Sequence, residues 1–150
     1  MDRIDKQILS ILQEDGRTTV TDLADRIGLS LSPCHRRLKA LEASGAIRGY
    51  RAQLDAGTLG LTFEALVFVI MKAATSDVLA TFEEAVATIP NVLHAQRLFG
   101  EPDYLLRVVA EDQTAFQRLY DTRLASLPGV LRLTSTLVMK TVVEDRALPL

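Results

Sequence analysis

Few residues in this chain of 150 have types suited to covalent or acid-base chemistry: one cysteine, Cys34, and two histidines, His35 and His94. Cys34 and His35 are neighbours, and helix neighbours point about 100° apart, so they form no nucleophile-base pair. His94 has no second histidine or cysteine at ligand spacing, so no metal site is expected. A single cysteine also excludes an internal disulfide and a multi-thiolate zinc site. The acidic neighbours Glu83-Glu84 and Glu111-Asp112 read as helix surface or cap, because general acid-base pairs need a buried, perturbed setting. There is no phosphate-cradling glycine loop, no cofactor is called for, and an enzyme is not expected.

What the sequence does concentrate is positive charge. The formal net charge is only -2, yet residues 26 to 51 hold six basic side chains (Arg26, Arg36, Arg37, Lys39, Arg48 and Arg51) against one acidic, Glu42, a local net of +5. Residues 1 to 25 carry net -3 and residues 52 to 150 net -4. A charge run is usually plain solvated surface. The elements around this one argue for more. Aromatics, at 5% with no tryptophan, are too sparse for a single-strand stacking platform.

Ile4, Ile8, Ile11 and Leu12 recur at helical spacing, with Asp2 and Asp5 placed to cap the first turn. After the Asp15-Gly16 turn, Thr19 caps a second helix striped by Val20, Leu23, Ala24 and Ile27 and stopped by Gly28. A third is expected to open with Ser32 as cap and Pro33 at the first helical position, and to run through Leu41. Its inward face is Cys34, Leu38 and Leu41, with His35, Arg36 and Lys39 outward and Arg37 on the flank. Helix two, a short connection and a basic capped helix make a helix-turn-helix, whose second helix enters the major groove by its N-terminal end. Arg36 and Lys39 then reach guanine edges or phosphates, and Ser32 and His35 donate to base or backbone. Ile47 to Leu54 reads as a strand or wing, with Arg48 and Arg51 on flanking phosphates.

A linker-like stretch, Asp55-Ala56-Gly57-Thr58-Leu59-Gly60, places the domain boundary near residue 60. Beyond it one pattern occurs twice: an apolar strand at Ala65 to Met71, a helix striped by Val78, Leu79, Phe82, Val86 and Ile89, and a strand at Val92 to Phe99. Then come a strand at Tyr104 to Ala110, a helix from Phe116 to Leu127 and a strand at Val130 to Lys140. The order βαββαβ predicts a ferredoxin-like four-stranded sheet with both helices on one face. The strands are apolar on both faces, so the uncovered face predicts sheet-to-sheet homodimerisation and leaves room for higher assembly. The longest apolar run, Ala65 to Met71, is too short to span a bilayer, and Met1 to Lys6 has no apolar signal core; a cytoplasmic protein without membrane attachment is expected.

Several motifs in register make the chain recognisable: Asp2-Arg3-Ile4-Asp5 with Ile8-Leu9, Asp15-Gly16-Arg17, Leu29-Ser30 to Ser32-Pro33-Cys34-His35-Arg36-Arg37-Leu38, Gly45-Ala46-Ile47-Arg48-Gly49-Tyr50, Gly100-Glu101-Pro102-Asp103-Tyr104, and Leu127-Pro128-Gly129-Val130. Together they resemble the Lrp/AsnC (feast/famine) transcriptional regulators over nearly the whole chain. The resemblance implies an α+β protein: a winged helix-turn-helix at residues 1 to 60, then a ferredoxin-like domain at 61 to 150 that binds an effector and oligomerises as a dimer, tetramer or octamer. It places Arg17, Ser30, Ser32, Pro33, His35, Arg36, Arg37, Lys39, Arg48 and Arg51 at the DNA. It places Gly100, Glu101, Asp103 and Tyr104, with Thr134, Ser135 and Thr136 from a neighbouring subunit, around a small amino-acid-like effector. Gly100 suits the approach of a carboxylate and Asp103 the pairing of an α-ammonium, although Gly, Pro and Asp also favour a plain hairpin turn. Two rival readings are an architectural protein that wraps DNA without an effector, and an enzyme like the haem-biosynthetic decarboxylases that resemble this family.

Overall fold

The computed structural model describes all 150 residues, Met1–Leu150. The chain folds as two compact units, one of Met1–Gln53 with Val142–Leu150, the other of Leu54–Thr141. This division differs from a boundary at residue 60. The stretch read as a linker is a hydrogen-bonded turn, with Leu59 N–H donating to Asp55 O and Leu61 N–H to Ala56 O, and the Thr62 hydroxyl donates to Glu111 O. It is therefore part of the second unit.

In the first unit, α1 (Arg3–Glu14) is closed by the expected capping box, in which the Asp2 and Asp5 carboxylates each accept the other's backbone N–H. Thr19 caps α2 (Val20–Ile27), its hydroxyl accepting from Asp22 N–H, and Gly28 ends it. The third helix, α3 (Leu31–Ala43), has Ser30 and not Ser32 as its N-cap, which puts Pro33 at the third helical position. The first-turn amides have no intrahelical acceptor, so proline fits at any of them and did not mark the first. Ile8, Leu23, Ala24, Cys34, Leu38 and Leu41 interlock the three helices. The Cys34 thiol is fully buried and pushed above its ordinary pKa by that burial. The segment after α3 is not a strand: residues 48 to 54 carry no regular secondary structure and have no ladder partner.

The second unit is β1 (Phe63–Met71), α4 (Ser76–Ala87), β2 (Val92–Arg97), β3 (Tyr104–Ala110), α5 (Gln113–Leu119) and β4 (Val130–Leu137), and α5 continues as a π turn at Tyr120–Leu124. The antiparallel sheet has order β2-β3-β1-β4, the expected ferredoxin-like topology. Alternation sorts its side chains: Ala65, Val67, Val69 and Met71, with Tyr104, Leu106, Val108 and Ala110, pack against Phe82 and Val86 of α4 and Phe116 and Leu124 of the second helix. Phe82 lies 4.5 Å from Tyr104 and Phe63 5.0 Å from Phe116, ring centroid to centroid. The opposite face shows Leu66, Phe68, Ile70 and Leu105, all half-buried, and no helix of this unit lies on it.

The turn into β4 depends on a missing side chain. Gly129 has φ +73°, and a Cβ there would stand 2.6 Å from Val78 Cγ1 and 3.1 Å from Met71 Cε. Gly129→Ala is expected to lower stability by more than the 1 to 3 kcal/mol, roughly, of the left-handed conformation alone, since the clash adds to it. Urea denaturation reads the change as a lower midpoint at unchanged slope.

Candidate nucleic-acid interface and ligand cleft

On α3 the helical period buries Cys34, Leu38 and Leu41 and leaves Ser32, His35, Arg36 and Lys39 exposed, as expected. The Ser30 hydroxyl makes no capping bond, so the N-terminal amides of α3 and this hydroxyl stand open together. Such an end favours an anion by its dipole and its unsatisfied N–H groups. Pro33 is half-buried and offers no donor. Arg36 has no acidic partner, and Arg17, Arg48 and Arg51 are likewise exposed and without one.

Arg37 departs from its expected role. Its Nη1 donates at 2.8 Å to both Asp2 and Asp5, the capping box of α1, which locks α3 against the start of α1. Hydrogen bonds from Asp5 N–H and then from Arg37 hold the Asp2 carboxyl below its ordinary pKa. Arg37 therefore positions the helix and is not a free cation for DNA. Because the Asp2 pKa is depressed in the folded state, its contribution is present above the ordinary carboxylate range and is lost as pH falls through it. Lys39 is exposed but paired with Glu42 at 2.8 Å, and the Tyr50 hydroxyl donates to the same carboxylate at 3.2 Å. The Lys39 hydrogen bond lowers the Glu42 pKa, and burial first and Glu42 second raise that of Tyr50. Lys39 must exchange partners to meet a phosphate.

In the second unit the residues named from the Gly100 motif separate onto two faces. Gly100, at φ +129°, and exposed Glu101 form the β2–β3 turn. The Glu101 carboxylate lies 3.8 Å from the Arg132 guanidinium, and with Phe68, Ile70, Pro102 and Thr134 this pair lines a cleft of about 340 Å³ on the helix-free face. Asp103 is turned into the fold: its Oδ2 accepts from Met71 N–H at 2.7 Å, and its own N–H donates to Val69 O. Tyr104 is buried on the helix side and its hydroxyl donates to Glu83 at 2.8 Å, which takes it away from the cleft. Glu83 also holds Arg97. Ser135 lies with Phe63, Phe116 and Tyr120 on the helix side, while Thr134 and Thr136 face the other way, as strand alternation requires. Thr134, Ser135 and Thr136 of one strand therefore cannot meet in one site.

The residues that the sequence did not single out are Phe68, Ile70 and Arg132. Alternation within β1 put Phe68 and Ile70 on one face; bringing Arg132 opposite Ile70, as the sheet does, takes the β1–β4 register.

Residues 64–148 match the Lrp/AsnC ligand binding domain, and residues 1–48 a winged helix-turn-helix DNA-binding domain. The chain is 40% identical over 150 residues to the Bkd operon transcriptional regulator of Pseudomonas aeruginosa, covering 100% of this chain and 98% of that protein. It is 39% identical over 142 residues to the leucine-responsive regulatory protein of Rhizobium meliloti, covering 95% and 91%. Among solved structures, a transcriptional regulator from Neisseria meningitidis in complex with L-Met superposes with TM-score 0.93 at 38% identity, over 99% of this chain and 96% of that one. An AsnC family transcriptional regulator from Agrobacterium tumefaciens gives TM-score 0.93 at 36% identity, over 99% and 97%. A basic helix-turn-helix, a ferredoxin-like sheet and relatives similar along their whole length agree: the chain belongs to the Lrp/AsnC family of DNA-binding transcriptional regulators.

Proposed function

We propose that this chain is a homo-oligomeric, sequence-specific regulator of the cytoplasm that reads a two-fold site in double-stranded DNA and responds to an amino acid or a related small metabolite, without catalysis of its own. The observation that carries the reading is the segregation of charge. In a protein of net charge -2, the exposed cations of α3 and of the segment after it form the one strongly basic stretch, at the end of the helix that enters a major groove. Ser32, His35 and Arg36 face base edges, while Ser30, Arg17, Arg48 and Arg51 face phosphates. The helix-free sheet face of Leu66, Phe68, Ile70 and Leu105 takes a second copy, since an apolar strip of this kind is otherwise left to water. Further copies then build tetramers or octamers. No helix is long and apolar enough to cross a membrane.

The cleft beside the Gly100 turn suits a zwitterion. Arg132 meets a carboxylate, Glu101 an ammonium, and Phe68, Ile70 and Pro102 an apolar side chain. At 3.8 Å and largely exposed, the Glu101–Arg132 pair is loose enough for a ligand to come between its members. The L-Met bound to the Neisseria meningitidis regulator supports this ligand class. Regulation requires the ligand to prefer one quaternary arrangement, because equal affinity for two shifts nothing. A thermal-shift screen of the twenty amino acids tests the reading. At a hundredfold excess over Kd, a bound ligand adds about 2.7 kcal/mol of stability, several degrees in Tm. At least one amino acid is expected to give such a shift, and Arg132→Ala is expected to abolish it while leaving the ligand-free Tm unchanged. No shift from any of them contradicts the ligand class.

A further inference from the structure

Gln13, near the C-terminal end of α1, holds the backbone of Leu148 with both ends of its amide: Nε2 donates to Leu148 O and Oε1 accepts from Leu148 N–H, each at 2.9 Å. A side-chain amide that meets a peptide in this way copies one rung of a strand ladder and fixes register. Leu148 and Leu150 then form one wall of a cavity of about 530 Å³, whose other walls are Leu9 and Leu12 of α1 and the segment from Ala46 to Arg51. That segment has few anchors of its own. Ile47 N–H donates to Leu41 O at 3.2 Å and the Tyr50 hydroxyl to Glu42, but residues 48 to 54 enter no backbone hydrogen bond. Ile47 packs on the three-helix core, and beyond it the segment has no ladder and borders α1 and the C-terminal segment across this one cavity.

We infer that residues Val142–Leu150, registered by Gln13, are a positioning element for the DNA-contacting arm: they prop Ala46 to Arg51 so that Arg48 and Arg51 both reach phosphates. Gln13 and Leu148 touch no DNA themselves. The inference rests on the phosphate-contact reading of Arg48 and Arg51.

The test is a salt titration of duplex binding by the full chain and its variants Gln13→Leu, Leu148→Pro, which deletes the N–H that Gln13 accepts, Arg48→Ala/Arg51→Ala, and that double combined with Gln13→Leu. Each phosphate contact contributes about 0.9 to the slope of log K against log salt, so loss of two lowers the slope by about 1.8. Gln13→Leu and Leu148→Pro are each expected to approach the slope of the double arginine variant, and adding Gln13→Leu to that variant is expected to change nothing further. Gln13→Glu, which keeps the acceptor, should fall between. A Gln13→Leu slope equal to that of the unaltered chain overturns the inference, as does a Gln13→Leu effect that adds in full to the arginine variant. Both outcomes leave the arginine reading standing. An unchanged slope in the arginine variant itself overturns that reading and the inference with it. Gln13 is exposed, so Gln13→Leu is expected to fold, with far-ultraviolet circular dichroism as the check.

Discussion

Phe68→Asp is expected to give a folded single copy that binds duplex DNA on the order of a hundredfold to ten-thousandfold more weakly, because two linked DNA-binding helices gain about that factor over one. Phe68 is half-buried on the helix-free face, opposite Leu105 on one side and Thr134 on the other. The helix-side core of Val67, Val69, Phe82 and Leu106 does not include it, so the fold should survive. A carboxylate in its place puts a charge where two apolar faces would meet, without a partner to offset its desolvation. Mass by sedimentation equilibrium and affinity by fluorescence anisotropy read the two effects. A variant that keeps the assembled mass removes this face from the interface.

The second large effect belongs to Arg36. It stands exposed on α3 without an acidic partner, between His35 and the α1-bound Arg37. If it meets a guanine edge, Arg36→Ala costs about 1 to 3 kcal/mol, roughly five- to a hundredfold and more in affinity, and relaxes sequence preference at one position of each half-site. Arg51→Ala, on a phosphate, should weaken all sites similarly and lower the salt slope by about 0.9. Selection from a randomised duplex pool separates the two. An Arg36→Ala protein that selects the same sites as the unaltered chain shows that this side chain reads no base, and equal affinity for all duplexes in the unaltered chain favours the architectural reading.

The features legible from sequence are those set by local physics. The Asp2/Asp5 box, the Thr19 cap and the Gly28 stop each depend on residues within one turn, and β1 and the first half of β3 alternate between buried and half-buried positions with period 2. Proline was ambiguous because every amide of a first turn lacks an acceptor, so Pro33 did not distinguish Ser30 from Ser32 as cap. The helical wheel sets Arg37 on the flank of α3 and the family resemblance sets it at the DNA; neither shows its two carboxylate partners, which lie over thirty residues away in sequence. Asp103 and Tyr104 carried the right chemistry for a ligand, but one satisfies a β1 amide and the other faces α4, and neither orientation follows from the motif. The Glu101–Arg132 cleft and the Gln13–Leu148 pairing join distant parts of the chain, so only tertiary register reveals them.

Sedimentation velocity of the protein, alone and with a labelled duplex at low ionic strength, tests most directly whether symmetry doubles the cationic helix for use on DNA. The expected result is an even-numbered assembly that carries the duplex with it and releases it as salt rises. A well-folded single copy that leaves the duplex to sediment by itself would contradict it.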